Sequence, residues 1–415
     1  MSARSPRRRA RAVPDVPGLG TTPPVSTPTG PAPRVSTRRA TGVLVLLAFA
    51  AFIFVTSEIL PFGLISLMAA DLGRSEAQIG LLVTAYAAVV VVMSVPLAHF
   101  TRTIPRRWLL SATVMVYVVG MLLASLGGGF AGLLAGRMLT ALAQAQFWAV
   151  VTATAAGLFP PHVRGKIVAR LLVGPAAAGV FGLPAATWLG QQYGWRVPFF
   201  VFAGVAVAVA IAIALLVPRY KPAHGAASRG VAPSMRRYLV NLAITVVAIL
   251  GNSTMFTYIT PYLQDIAGFA ADTIPVLLMV TGIAGLASMI LVGRFLDRFP
   301  MGTMAVGVGL LITGWLGVGL ANSQQPVVLG FACVSGFGLS VVVGAFANRA
   351  LQTSPGNTDI AVATHGSLYN TGVLLGSLLG SRILDLQGPR ILPFVAAGFL
   401  MLALVVVALE RRVRA

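Results

Sequence analysis

The sequence predicts an all-α, polytopic membrane protein of twelve transmembrane helices, arranged as two pseudo-symmetric six-helix bundles. Three observations predict it. Twelve apolar runs, each long enough to cross a bilayer, are separated by short polar segments. The 415-residue chain is 57% hydrophobic and only 10% charged, with a mean hydropathy of +0.87, too apolar for a soluble domain of this length. Of the 30 Lys and Arg residues, 25 fall in segments on the side of the N-terminus and four on the opposite side, the bias that marks cytoplasmic loops. Both termini are therefore expected in the cytoplasm, in a multi-pass protein of the cytoplasmic membrane.

Each element follows from its composition. Residues 1–40 are rich in Arg, Pro, Ser and Thr and have no apolar periodicity, so they read as a disordered basic cytoplasmic tail. Such a tail suits an anionic lipid surface. The Arg7-Arg8-Arg9 cluster is not read as an export signal, because the apolar run begins some thirty residues later and is too long for one. A helix rises 1.5 Å per residue, so about 20 apolar residues cross ~30 Å of hydrocarbon. On that measure the spans lie near 42–69, 77–100, 108–127, 130–158, 167–190 and 197–217. A second six lie near 238–262, 273–296, 303–321, 326–352, 360–382 and 391–409. Residues 218–237, the longest internal polar stretch, form a cytoplasmic loop between an N-terminal bundle (41–217) and a C-terminal bundle (238–410). Residues 411–415 form a short cytoplasmic tail.

The halves resemble each other at a shift near 195–200 residues. Glu58-Ile59-Leu60-Pro61-Phe62 in the first span faces Tyr258-Ile259-Thr260-Pro261-Tyr262 in the seventh. Arg196-Val197-Pro198-Phe199 opens the sixth and Arg390-Ile391-Leu392-Pro393-Phe394 the twelfth. Paired six-helix halves are the pattern of secondary transporters, with the substrate between the halves at the midplane.

Several function classes are excluded. The net charge of +20 would suggest nucleic acid on a soluble chain, but topology accounts for it, and no nucleic-acid partner is expected. Cys333 is the only cysteine and lies in an apolar span, so no intrachain disulfide or cysteine metal site can form. No HExxH, Walker A loop or dinucleotide fingerprint is present. No cofactor or metal is expected, and any work must draw on a gradient. The chain offers no nucleophile–base pair deep in a span, so it is not read as an enzyme.

Charge inside a bilayer is costly and calls for a reason. Nine of the ten acids sit in the tail or near a membrane face; only Glu58 is deep in a span, and Arg137 is the only deep base. By helical rise, Glu58 is ~16 Å and Arg137 ~10 Å from the outer ends of their spans. Similar depth permits pairing, directly or through water or substrate. An apolar cavity raises a carboxylate's proton affinity and a nearby Arg lowers it, the competition a proton-coupled exchanger requires. A static Glu58–Arg137 pair fixing helix packing is the alternative. Around them, Arg137, Gln144 and Trp148 share one face of the fourth span. Tyr86, Asn252, Tyr258, His365, Tyr369 and Asn370 are further candidates to line a substrate cavity. Aromatic, amide and hydroxyl groups together suit a neutral polyhydroxylated or small amphipathic solute.

These residues carry a resemblance. The chain resembles the major facilitator superfamily over nearly all of 41–410. The nearest likeness is to the sugar efflux and arabinose exporter branch of its twelve-span drug:proton antiporters. The likeness rests on Thr56-Ser57-Glu58-Ile59-Leu60-Pro61-Phe62-Gly63-Leu64, on Tyr86-Ala87 through Met93-Ser94-Val95-Pro96-Leu97, on Phe147-Trp148, on Gly182-Leu183-Pro184 and on Tyr193-Gly194-Trp195-Arg196. The family's arginine motif in span four maps onto Gly136-Arg137 and its embedded acid in span one onto Glu58. The resemblance implies an efflux antiporter for a small organic solute, driven by inward proton flow, and the chain is expected to act as a monomer. A sugar or sugar-like substrate leads; a hydrophobic or chloramphenicol-type drug and a purine nucleoside follow. It also implies gating loops at the cytoplasmic face, at Arg102, Arg106 and Arg107 and, in the second copy, at Asp297 and Arg298. Here the chain departs from the family: Thr101 stands where the loop after span two normally carries an acid.

Overall fold

The computed structural model describes residues 36–101, 103–160, 163–218, 233–356 and 358–412. At 164–165, 293–294, 296–298, 358–360, 362 and 411–412 only the backbone is described. Most of the 1–40 tail, Arg102, and most of the central loop therefore lie outside the described residues, as do the side chains of Asp297 and Arg298.

Twelve helical segments are seen in the described chain: α1 (Thr37–Leu72), α2 (Glu76–Phe100), α3 (Arg106–Leu126), α4 (Gly129–Gly157), α5 (164–193), α6 (Arg196–Leu216), α7 (235–266), α8 (Ile274–Arg298), α9 (Pro300–Ala321), α10 (Gln325–Thr353), α11 (Thr358–Gln387) and α12 (Leu392–Arg412). No strand occurs among the described residues. Among the described residues, ten helices are long and apolar enough to cross a membrane. The two that fall short in apolarity, α4 and α11, carry Arg137 and Gln144 and His365, Tyr369 and Asn370 respectively.

The helices run past the predicted hydrocarbon limits. Residues 37–40, 235–237 and 411–412 are helical, where tails and a loop are expected from sequence. Serines account for two of these extensions. Ser36 accepts from the Arg39 amide and Ser234 from the Arg237 amide, satisfying donors that a helix start leaves unpaired. Ser75 and Gln78 form a reciprocal capping box at α2.

Two segments are broken where proline removes a donor. Segment α5 runs as Arg164–Leu171 and Val173–Ala177, then a π-helical turn at Ala178–Gly182, then Leu183–Tyr193. Segment α7 runs as Met235–Phe256, Ile259–Pro261 and a π-helical turn at Tyr262–Ile266.

The packing shows the repeat directly. Within the first six helices, α3 packs on α4 and α6, α2 on α4, and α1 on α5 and α6. Within the second six, α9 packs on α10 and α12, α8 on α10, and α7 on α11 and α12. Adding six to each helix number turns the first set into the second. Between the halves, α2 packs on α11, α5 on α8, and α1 on α7, and the same shift maps this set onto itself.

Loop contacts separate two ends of the molecule. At one end Arg107 donates to the Leu215 and Val217 carbonyls, and Arg39 to that of Leu216. These cations close the C-terminus of α6, where unpaired carbonyls carry partial negative charge. At the other end Arg196 and Trp195 both donate to the Asp71 carboxylate, at 2.6 and 3.0 Å.

Candidate functional site

The centre of the first half is organised by a proline. Pro61 lies inside α1 and has no N–H, so the Ser57 carbonyl four residues earlier loses its helical donor. Arg137 replaces it. Its Nη1 donates to the Ser57 carbonyl at 2.5 Å and its Nη2 to the Glu58 carbonyl at 2.9 Å. The guanidinium is fully buried and stacks 4.3 Å from the centre of the Tyr86 ring, a cation–π contact strengthened by desolvation. The expected side-chain pair between Glu58 and Arg137 is not formed. The arginine is taken by the main chain of the kinked turn.

The Glu58 carboxylate has another partner. Gln144 Nε2 donates to its Oε2 at 2.6 Å, and Tyr86 Oη donates to Gln144 Oε1 at 2.8 Å. The amide is thereby oriented from both ends, in the only sense that lets nitrogen face a carboxylate. Gln144 and Tyr86 are each 2% exposed, whereas Glu58 is half-buried although it lies mid-helix. Tyr369, on α11 of the other half, lies within electrostatic reach of Glu58. It is half-buried, as are Asn370 and Trp148, whose indole meets the Phe147 ring edge-on. Glu58, Arg137, Tyr86 and Gln144 thus come together, with Tyr369 approaching from the second half.

The remaining predicted residues are engaged elsewhere. Asn252 is buried, and its Oδ1 accepts from the Trp315 indole on α9 at 3.2 Å, inside the second half. His365 is 8% exposed and faces the Thr245 hydroxyl at 3.4 Å. Asn370 donates to Gly366 of its own helix. Tyr258 is fully buried between the halves: its hydroxyl donates to the Ser377 carbonyl on α11, and its ring lies against Gly80 of α2 and Gly380 of α11. A Cβ on Gly80 would overlap the phenol. Tyr258 is a packing wedge between the halves rather than a cavity wall. At the loop, Arg107 caps α6 as described and Arg106 is buried in the first turn of α3. Thr101, in the place of the acid, exchanges a hydrogen bond with Gln146 on α4.

The structure adds a feature that sequence reading missed. Five hydrogen bonds cross between the halves among the described residues: Ser75 to Asp385, Ser381 to the Ala77 carbonyl, Thr84 with Ser377, Thr260 to the Phe62 carbonyl, and Gln191 to the Ala271 carbonyl. All lie toward the end where α1 finishes and α2 begins. The Phe62–Thr260 and Thr84–Ser377 bonds are the deepest, and Glu58 lies one helical turn below Phe62. Small polar residues carry this seal, and no single one of them differs in sequence from an ordinary helix-packing residue.

Comparison with known proteins agrees with this architecture. A profile of the Major Facilitator Superfamily matches residues 47–358. Among solved structures, the chain is similar to a bacterial homolog of the human lysosomal transporter Spinster in an inward-facing, unoccupied conformation. That likeness has a TM-score of 0.72 at 14% identity and covers 91% of this chain and 98% of that one. The occupied inward-facing form of that homolog gives 0.72 at 16% identity over the same shares. The human organic anion transporter MFSD10 (TETRAN) gives 0.69 at 15% identity, over 90% of this chain and 100% of that one. At these identities the structures speak for the fold, and the profile match for the family. The chain belongs to the Major Facilitator Superfamily: it is a multi-pass membrane transporter acting on small-molecule substrates, not an enzyme.

Proposed function

We propose that the chain is a proton-coupled antiporter that exports a small organic solute from the cytoplasm by alternating access, with Glu58 as its proton carrier. One observation carries this reading. Among the described residues Glu58 is the sole acid deep in the bundle, its carboxylate has a neutral amide rather than a cation as its hydrogen-bond partner, and it is half-buried directly beneath the seal between the halves. A carboxylate held by an amide keeps one oxygen for a proton. A carboxylate locked to Arg would stay ionised. Facing lipid, such a group would be prohibitively costly, so it faces the interior between the helices, where a transport path would run.

In this reading the seal closes the outer side, and the space beneath it opens to the cytoplasm. Substrate enters there against Tyr369, Trp148 and Glu58 and displaces the proton, and the halves rock so that the seal opens outward. Arg137 is a positioning residue that holds the kinked turn and so sets where the carboxylate stands. A sugar-like solute is the first substrate class, with a chloramphenicol-type drug or a purine nucleoside as rivals.

The test is transport by purified protein in liposomes carrying an imposed pH gradient. Glu58→Gln should lose gradient-driven flux while keeping equilibrium exchange of substrate across the membrane. Undiminished gradient-driven flux in the Gln variant would refute the proton role. Proton release from the detergent-solubilised wild type, screened against sugars, nucleosides and chloramphenicol, then assigns the substrate class.

A further inference from the structure

We infer that the start of α7 and the end of α12 form a binding site for the phosphate headgroup of an anionic phospholipid. A cavity of about 430 Å³ lies between them. Arg236 and Arg237, both exposed, line it together with the half-buried Val240 and Val406 and the exposed Leu409. Glu410 also lines it, but that carboxylate is already neutralised by Arg349 at 2.5 Å, with both side chains nearly buried. The lining therefore presents two cations that have no ion pair among the described residues, above an apolar wall, at the end of two membrane-spanning helices.

Three physical arguments favour a lipid phosphate. Arg236 and Arg237 occupy the first turn of α7, the positive end of its macrodipole, with no acid in that turn. Cations are unfavourable there and an anion is favourable, so a phosphate relieves a repulsion built into the helix. The Ser234 cap anchors this turn, and the Ser234 amide donates to the Thr353 carbonyl of α10, fixing the backbone that carries the two arginines to the bundle. The apolar wall continues from the cations into the span, which matches a headgroup continuous with acyl chains and not a free anion. Basic pockets between helices at a membrane face are the general form of such sites.

Native mass spectrometry of the full chain tests this with equal amounts of phosphatidylglycerol and phosphatidylethanolamine in detergent. Wild type should retain phosphatidylglycerol preferentially, and Arg236→Gln/Arg237→Gln should reduce that preference by about tenfold, the scale of one to two lost charge–phosphate contacts. Arg38→Gln/Arg39→Gln, which removes two other cations at the same membrane face, should leave it unchanged. Excess glycerol phosphate, which carries the phosphate without chains, should not displace the lipid. Equal phosphatidylglycerol retention by wild type and the Arg236/Arg237 variant would overturn the inference, and leave the pair as a topology signal only. Equal losses in both double variants would overturn it in favour of diffuse charge. Displacement by glycerol phosphate would replace the lipid with a free anion.

Discussion

Removing Arg137 tests the idea that this arginine replaces the donor missing at Pro61. Its two hydrogen bonds to the Ser57 and Glu58 carbonyls come from a charged donor, at about 1.5–3 kcal/mol each, so their loss removes about 3–6 kcal/mol. The stack on Tyr86 adds about 2 kcal/mol. Against this, burying a guanidinium costs several kcal/mol, which an apolar replacement recovers. The two sides nearly cancel, so the stability of Arg137→Met alone decides little. A double-mutant cycle with Pro61→Ala does decide, because the desolvation gain is common to both Met backgrounds. In the wild-type background the new amide at position 61 meets a carbonyl already bonded. In the Met background it meets an orphan, and satisfying a buried orphan is worth about 1–3 kcal/mol. The cycle should therefore show about 1–3 kcal/mol of coupling in equilibrium unfolding by denaturant in mild detergent. Additivity within about 0.5 kcal/mol would refute the reasoning.

Three further outcomes follow from the packing. Gly80→Ala should drive the α2–α11 seal apart, because Tyr258 is held between Gly80 and Gly380; overpacking of about 1–3 kcal/mol shifts the closed state by ~5- to 150-fold. Spin labels at Arg74 and Leu386 should then report a longer distance, restored by Tyr258→Ala. Asn252→Ala should destabilise the protein by about 1–3 kcal/mol through the unpaired Trp315 indole, with the substrate KM unchanged; a raised KM with unchanged stability would return Asn252 to the cavity. An alkaline phosphatase reporter fused near Ala226 should be inactive and one near Gln191 active, as the basic bias requires; the reverse would invert the topology.

The twelve helices were legible because each lies in a run that only a bilayer or a core can cover, and their limits differ from expectation by a few residues. The excess is where serine caps carry helix into the polar zone, as at Ser36 and Ser234. The repeat was legible from Pro61 against Pro261. The sequence brings forward Glu58, Arg137, Tyr86 and Gln144, which the fold places together, but not the bonds among them. A lone deep acid and a lone deep base suggest each other, and depth alone could not say that Arg137 would choose main chain. Pro61 could have said it: a proline four residues after Ser57 orphans a carbonyl, and a buried donor at similar depth is its natural partner. Gln144 was visible only as a face-mate of Arg137, yet it holds the carboxylate. The Trp315 partner of Asn252 was not legible, because helix position gives depth but not azimuth. The seal between the halves was invisible, since Ser75, Thr84, Ser377 and Ser381 are the small residues any close-packed membrane helix uses.

The kink in α1 joins these parts into one device. On one side Arg137 ties the Ser57 and Glu58 carbonyls to α4. On the other, Thr260 of α7 donates to the Phe62 carbonyl at 2.6 Å, so the turn after the kink is tied to the opposite half. Thr260 stands beside Pro261, at the break in α7 that matches the Pro61 kink in the repeat. Glu58 lies between these two ties. A rocking of the halves that releases Phe62 from Thr260 changes the path of α1 above Glu58, while Arg137 keeps the turn below it in place. The carboxylate would then change its distance from Gln144 without any movement of α4. This predicts that Thr260→Val, which removes the tie across the halves but leaves the Glu58–Gln144 bond intact, should open the seal and alter the pH dependence of exchange together. Measuring both on the same variant decides the matter. An opened seal with an unchanged pH profile would separate the gate from the carboxylate and leave Glu58 coupled through substrate alone.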